Sequence, residues 1–190
     1  MKRLFAVLFC FMFFSCTTNT VFVPGEKQVK TKNLYAEYYN LAEEYVKLKN
    51  YSKAIEFYKT AMNDKSLHDA AYYKVGRCYA LDKQYSKARE VFENILKKDP
   101  ENLALRSSVA YLYAMSGDTK KACLLYKNLV LEKPDDKDLL VNYTSVLMAE
   151  RDFEAAKLNL DFLEKKFPDA GELKSLKEAF ERNTDSSVQN

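Results

Sequence analysis

Apolar and polar residues alternate along this chain with a helical period. In YSKAIEFYKTA, starting at Tyr51, residues Ala54, Tyr58 and Ala61 fall at i, i+4 and i+7. That spacing places three side chains on one stripe of an α-helix. The stretch YSKAREVFENI, starting at Tyr85, repeats the stripe at Ala88, Phe92 and Ile95, thirty-four residues later. The same interval brings Ala122, Tyr126 and Leu129, then Ala156, Leu160 and Leu163. A fixed period of this size is the signature of a helical-repeat array.

With Tyr35 as position one of a 34-residue frame, other places fall into line. Position eight holds Ala42, Gly76, Ala110 and Thr144, and position eleven holds Tyr45, Tyr79, Tyr113 and Leu147. Position thirty-two holds Ser66, Pro100, Pro134 and Pro168. Positions four, seven, eight and eleven share one stripe of a first helix; twenty, twenty-four and twenty-seven share one stripe of a second. Small residues at eight and twenty let the two backbones cross closely, and proline at thirty-two ends the second helix.

These marks resemble the tetratricopeptide repeat. The resemblance implies an all-α, right-handed superhelix of four helix hairpins, expected over 35–68, 69–102, 103–136 and 137–170. Local departures are Arg106 at an apolar position, Thr144 where Gly or Ala is usual, and Ser66 in place of proline. After Ala170, GELKSLKEAFERN sets Leu173, Leu176, Ala179 and Phe180 on one face. That predicts a capping helix over 171–183, covering the flank of the last hairpin. TDSSVQN, 184–190, is expected to be a polar, frayed end.

The N-terminus has a different pattern. MKRLFAVLFCFMFFSC carries Lys2 and Arg3, an apolar run from Leu4 to Phe14, then Ser15 and Cys16. Such a run is too short to span a bilayer, which takes about 17–25 residues, but suits a secretory signal. A small residue before a cysteine at its close resembles the lipobox of bacterial lipoproteins, with 1–15 as signal peptide and Cys16 as the acylated residue. Phe13 and Phe14 depart from the usual Leu and small residue; looser boxes of this kind are similar to those of spirochaetes. From Thr17 to about Asn33 no period is visible, and Pro24-Gly25 signals a break. Residues 16–34 are therefore expected to be a lipidated cysteine and a flexible tether, with the body in the periplasm or at the cell surface.

Composition narrows the chemistry. The 190 residues include 30 basic and 27 acidic ones, a formal +3. A near-neutral body with interspersed signs gives no nucleic-acid footprint. Only four glycines occur and none forms a phosphate loop. The single histidine, His68, sits at a turn without a second His or Cys beside it, so no metal site and no cofactor are expected. Cys78 and Cys123 fall where the repeat takes small or apolar residues, and are read as packed thiols. Asp135-Asp136 precedes a helix and is read as a cap. With no nucleophile–base constellation, an enzyme is not expected.

Function is expected in the groove. In the repeat family the first helices line a concave face, chiefly through positions two, five, nine, twelve and thirteen. Carried over, these include Tyr39, Glu43, Tyr73, Arg77, Tyr111, Met115 and Met148, among small residues. Aromatics and Met beside small residues suit a partner's helix or extended peptide; packing between neighbouring first helices is the other reading of the tyrosines. Family members that grip a C-terminal carboxylate use Lys and Asn at positions five and nine. Here those hold Tyr39, Glu43, Tyr73, Arg77, Ser107 and Tyr111, so that clamp is absent. The expected protein is a membrane-tethered adaptor binding a protein or peptide of the cell envelope. The alternative resembles helical-repeat lipoproteins that bind a small ligand or lipid and partner a periplasmic solute-binding protein.

Overall fold

The computed structural model describes residues 24–188. The expected anchor at Cys16, with the rest of 1–23, lies outside the described residues. Within them the chain is entirely helical, without strands: α1 (Glu26–Lys47), α2 (Tyr51–Ala61), α3 (His68–Leu81), α4 (Tyr85–Leu96), α5 (Leu103–Met115), α6 (Thr119–Glu132), α7 (Lys137–Glu150), α8 (Phe153–Lys166) and α9 (Leu173–Val188). Each helix packs on the next, in four successive hairpins followed by α9, which also rests on α7.

The small residues do what their spacing requires. Ala54, Ala88, Ala122 and Ala156 have no exposed surface, and neither do Ala42, Ala110 and Thr144 at position eight. Thr144 fits because its hydroxyl donates to Leu140 O at 2.8 Å, leaving no unpaired polar atom. Capping follows the same register. Asn50, Asp118 and Asp152, all at position sixteen, accept the backbone N–H three residues on, at 3.1–3.3 Å. Asn102 and Asp136, both at position thirty-four, do the same at 3.1 and 3.0 Å. Turns within hairpins reverse at position fifteen, where Lys49, Lys83, Gly117 and Arg151 all adopt positive φ.

The departures from the repeat are each resolved locally. Arg106 leaves the core and forks onto Glu132, at 2.6 and 2.5 Å. Ser66 makes a turn without proline, its backbone N–H and hydroxyl donating to Asp64 Oδ1 at 2.7 and 2.6 Å.

Two expectations are corrected. The tether does not reach 34: α1 starts at Glu26, about two and a half turns early. EKQVKTKN has good helix formers and no breaker after Gly25. Residues 27–33 are exposed on every side and need no apolar stripe, so no period shows. The helix opens at Gly25, at φ 85, where Val29 N donates to Gly25 O at 3.0 Å. At the other end, 184–190 is not frayed throughout, since α9 runs to Val188. Asn183 and Thr184 turn their side chains back onto Ala179 O and Phe180 O, at 2.8 and 3.1 Å.

The ends of the array differ. Val75 and Val109 at position seven are 2% and 7% exposed beneath the preceding hairpin, whereas Leu41 is 40% exposed. Among the described residues no helix precedes α1. Leu173 and Leu176 of α9 instead seal the far end with Leu140, Leu147 and Leu160.

One side chain breaks the pattern to its own cost. Asn159 stands at position twenty-three, where Phe57, Val91 and Leu125 are apolar, and its Nδ2 is buried without a partner. Asn159→Leu should raise stability by about 1 kcal/mol, seen as a melting shift of about 2–4 °C by circular dichroism.

Candidate functional site

The first helices α3 and α5, with α7 beyond, wall a cleft of about 320 Å³. Tyr73, Arg77, Ala80 and Leu81 come from α3; Ser107, Ser108, Tyr111 and Leu112 from α5; Asn142 from α7. Its floor is Phe92 and Tyr126, from the inner faces of α4 and α6. Tyr73 stacks on Phe92, centroids 5.6 Å apart at 22°, which fixes the ring at the rim. Tyr126 donates its hydroxyl to Ser107 O at 3.2 Å, bracing α5 from below. Tyr73, Leu81 and Tyr111 are all exposed in this cleft.

Tyr39 and Glu43, from the first hairpin, take a different role. Tyr39 is half-buried and meets Tyr58 edge to face at 5.2 Å. Glu43 accepts the Tyr58 hydroxyl and pairs with Lys74 Nζ at 2.7 Å, close to the Arg77 charge. Burial alone would raise the Glu43 carboxyl. The hydrogen bonds from Lys74 and Tyr58 and the charges of Lys74 and Arg77 outweigh it and hold the group below its ordinary value. This network welds α1 to α3 beside Arg77.

The expected groove line is therefore divided. Tyr73, Arg77 and Tyr111 share the cleft; Tyr39 and Glu43 support its flank. Met115 is exposed at the end of α5, in a separate hollow with Lys83–Lys87 and Ser116. Met148 is a correction: it is only 6% exposed and packs in the cluster with Leu147, Leu173 and Leu176, where α9 comes against α7. It offers the groove no side chain.

Lys74, Asn142, Phe92 and Tyr126 are site residues that sequence reasoning did not place. A signal existed for two of them. Position six holds Asn40, Lys74, Ser108 and Asn142, polar in every repeat; Ser108 and Asn142 line the cleft and Lys74 reaches Glu43 at its flank. No comparable signal marks Phe92 or Tyr126, whose stripe reads only as core.

Nothing in the cleft is arranged for covalent chemistry. Among the described residues no group of His, Cys, Asp and Glu could hold a metal ion. Burial pushes the Cys78 and Cys123 thiols up to about 11, so both stay protonated at neutral pH, and neither is in a disulfide. His68 lies at the start of α3 with Nδ1 3.1 Å from Asp69 Oδ1.

An all-helical array of phased hairpins with an open, aromatic-walled cleft on its first helices defines a helical-repeat solenoid. The particular family is shown by its profile: the tetratricopeptide repeat matches residues 45–112 and 79–139, together half of the chain. The chain belongs to the tetratricopeptide repeat family. No curated protein matches it. Among solved structures, a tetratricopeptide repeat protein from Parabacteroides merdae ATCC 43184 is similar at 19% identity and TM-score 0.65, covering 80% of this chain and 60% of that one. This chain thus spans less than two thirds of that relative's length. MamA 41-end from Desulfovibrio magneticus RS-1 is similar at 14% identity and TM-score 0.62, over 84% and 97% of the two chains. YrrB, described as a TPR protein with an unusual peptide-binding site, is similar at 19% identity and TM-score 0.57, over 86% and 90%. At these identities the likeness establishes the fold.

Proposed function

We propose that this chain is a membrane-tethered adaptor of the bacterial cell envelope. It receives a helix or extended segment of a partner protein in the cleft between α3 and α5. The observation that carries this reading is the exposure of Tyr73, Leu81 and Tyr111 around one Arg, on a rigid wall braced from beneath by Phe92 and Tyr126. Tyr73, already held by packing, loses little entropy on binding, and the exposed Arg77 between the two rings selects an acceptor such as an acidic side chain or a backbone carbonyl once a partner covers it. The partner segment should therefore place an apolar residue against Tyr73 and Tyr111 beside a carboxylate that meets Arg77. That YrrB has a described peptide-binding site on the same fold is consistent with this use. The tether rests on the lipobox-like ending at Cys16, whose looser form is similar to spirochaetal ones.

The test is crosslinking in native membranes from a photoreactive residue at position 73. One protein should be captured, and Tyr73→Ala with Tyr111→Ala should weaken its binding by about 100-fold or more, two hot-spot truncations acting together. A bound small molecule found by native mass spectrometry, with no protein captured, would sink the adaptor reading. The anchor is tested separately: Cys16→Ser should release the protein from the membrane fraction, and unchanged retention would remove the lipoprotein assignment.

A further inference from the structure

The side of the array away from the cleft changes character halfway along. Position twenty-two holds Glu56 and Glu90 in α2 and α4, but Leu124 and Leu158 in α6 and α8. Position twenty-nine holds Asn63, Lys97, Leu131 and Lys165; position twenty-six holds Thr60, Asn94 and Asn128, then Phe162. The new apolar side chains are not in the core. Leu124, Leu131, Leu158 and Phe162 are 52%, 71%, 72% and 41% exposed.

Helical geometry explains why. Leu124 is two residues from buried Ala122 and two from buried Tyr126, so it projects from the opposite side of α6. Leu158 stands in the same relation to Ala156 and Leu160 on α8. Four large apolar side chains gathered on one outer face, where the first two repeats are polar, are a patch rather than scattered exposure.

The charges around them have a pattern. On α6, Lys120, Leu124, Lys127 and Leu131 fall at i, i+4, i+7 and i+11, one stripe alternating cation and leucine. From Thr119 to Leu131 that helix has no acid, and Glu132 at its end is held by Arg106. On α8, Lys157 adjoins Leu158, Lys165 follows Phe162, and Lys166 Nζ sits 5.4 Å from the Phe162 ring. Glu154, Asp161 and Glu164 are the exposed acids on that helix; Glu164 is paired with Lys177 Nζ at 2.6 Å, and Lys166 also reaches Asp135.

We propose that the outer face of α6 and α8 is a peripheral membrane-binding surface. Leu124, Leu131, Leu158 and Phe162 enter the acyl boundary of an anionic bilayer, while Lys120, Lys127, Lys157 and Lys165 meet its headgroup phosphates. A basic, apolar helix face is the composition that lies in a bilayer interface, and lysine stems lie along apolar surface while their ammonium groups reach outward. A bilayer also takes up side chains spread over two outward ridges without requiring a matching pocket. A second copy fits less well, because two such faces would bring Lys120 and Lys127 of each copy together. The proposal does not depend on Cys16 or on the cleft.

The test uses the chain from residue 24 onward, since among the described residues every buried core residue lies between Ala42 and Leu176. In flotation, this chain should rise with vesicles of phosphatidylglycerol and phosphatidylethanolamine and stay down with pure phosphatidylcholine. Raising the salt should weaken the binding. The triple variant Leu124→Gln, Leu158→Gln, Phe162→Gln should lower partitioning by about tenfold or more. The charge variant Lys120→Gln, Lys127→Gln, Lys157→Gln, which leaves the apolar side chains in place, should do the same. Tyr73→Ala with Tyr111→Ala should change nothing, which separates this face from the cleft. Melting curves matching the parent show that each variant is folded. No flotation, equal flotation with both vesicle types, or an unchanged charge variant would overturn the proposal. So would a dimer in sedimentation that the glutamine variants dissolve without any vesicle binding, which would make the face a contact between copies.

Discussion

Tyr58→Ala should lower the unfolding free energy by about 3–5 kcal/mol, the cost of emptying a large aromatic site in a packed core. Tyr58 has no exposed surface, meets Tyr39 edge to face and donates its hydroxyl to Glu43. Tyr58→Phe divides that loss. It keeps the ring and removes one hydrogen bond to a charged acceptor, for an expected cost of about 1.5–3 kcal/mol. Burial and the Glu43 carboxylate raise the Tyr58 hydroxyl above its ordinary value, so it remains a donor at any ordinary pH. The Glu43 carboxyl is depressed in the folded state. Its stabilisation is therefore complete above its unfolded value near 4.5 and is lost as pH falls through the lower folded value. In Tyr58→Phe the Glu43 carboxyl moves back toward ordinary, and the stability lost as pH falls below 4.5 becomes smaller. Urea titrations followed by circular dichroism across that range would show both effects. An acid limb in Tyr58→Phe as steep as in the parent would contradict the assigned network.

Gly76→Val should cost about 3 kcal/mol, at the upper end for overpacking a core. A Cβ at Gly76 would stand 2.5 Å from Phe92 Cε1 and 2.9 Å from Val91 Cγ1. Both neighbours are buried on α4, and Phe92 is stacked beneath Tyr73 at the floor of the cleft. The substitution therefore reaches the cleft as well as the core, and should weaken partner binding along with stability. Gly171→Ala serves as the control, since nothing lies within 4 Å of its Cβ. Its effect should stay within about 0.5 kcal/mol. Urea midpoints for the two variants check the contrast.

The repeat made the architecture legible before any coordinates. Alanine at position twenty and a small residue at position eight can serve only one purpose in a helix hairpin, the close approach of two backbones, and both sets are buried. Asp136 is the cap its place before α7 suggests, because capping is settled within three residues. Helix ends were less legible. EKQVKTKN and the last turn of α9 show no hydrophobic period in the sequence, yet a helix extends into them by adding one hydrogen bond per residue.

The cleft was half legible. Tyr73, Arg77 and Tyr111 follow from the frame, because equal phase on successive first helices puts them on one side. Lys74 reaching Glu43, Phe92 rising as a floor, and Met148 disappearing beneath α9 do not. Each depends on how far two helices stand apart and on what lies behind them.

The order of residues by itself thus determined which side each helix turns to its neighbour, since that is a matter of period and holds over a few turns. Tertiary structure alone decided which of the outward groups remain open to a partner. Exposure depends on elements far along the chain, as α9 covers Met148 while Leu124 and Leu158, in the same phase on successive second helices, stay uncovered.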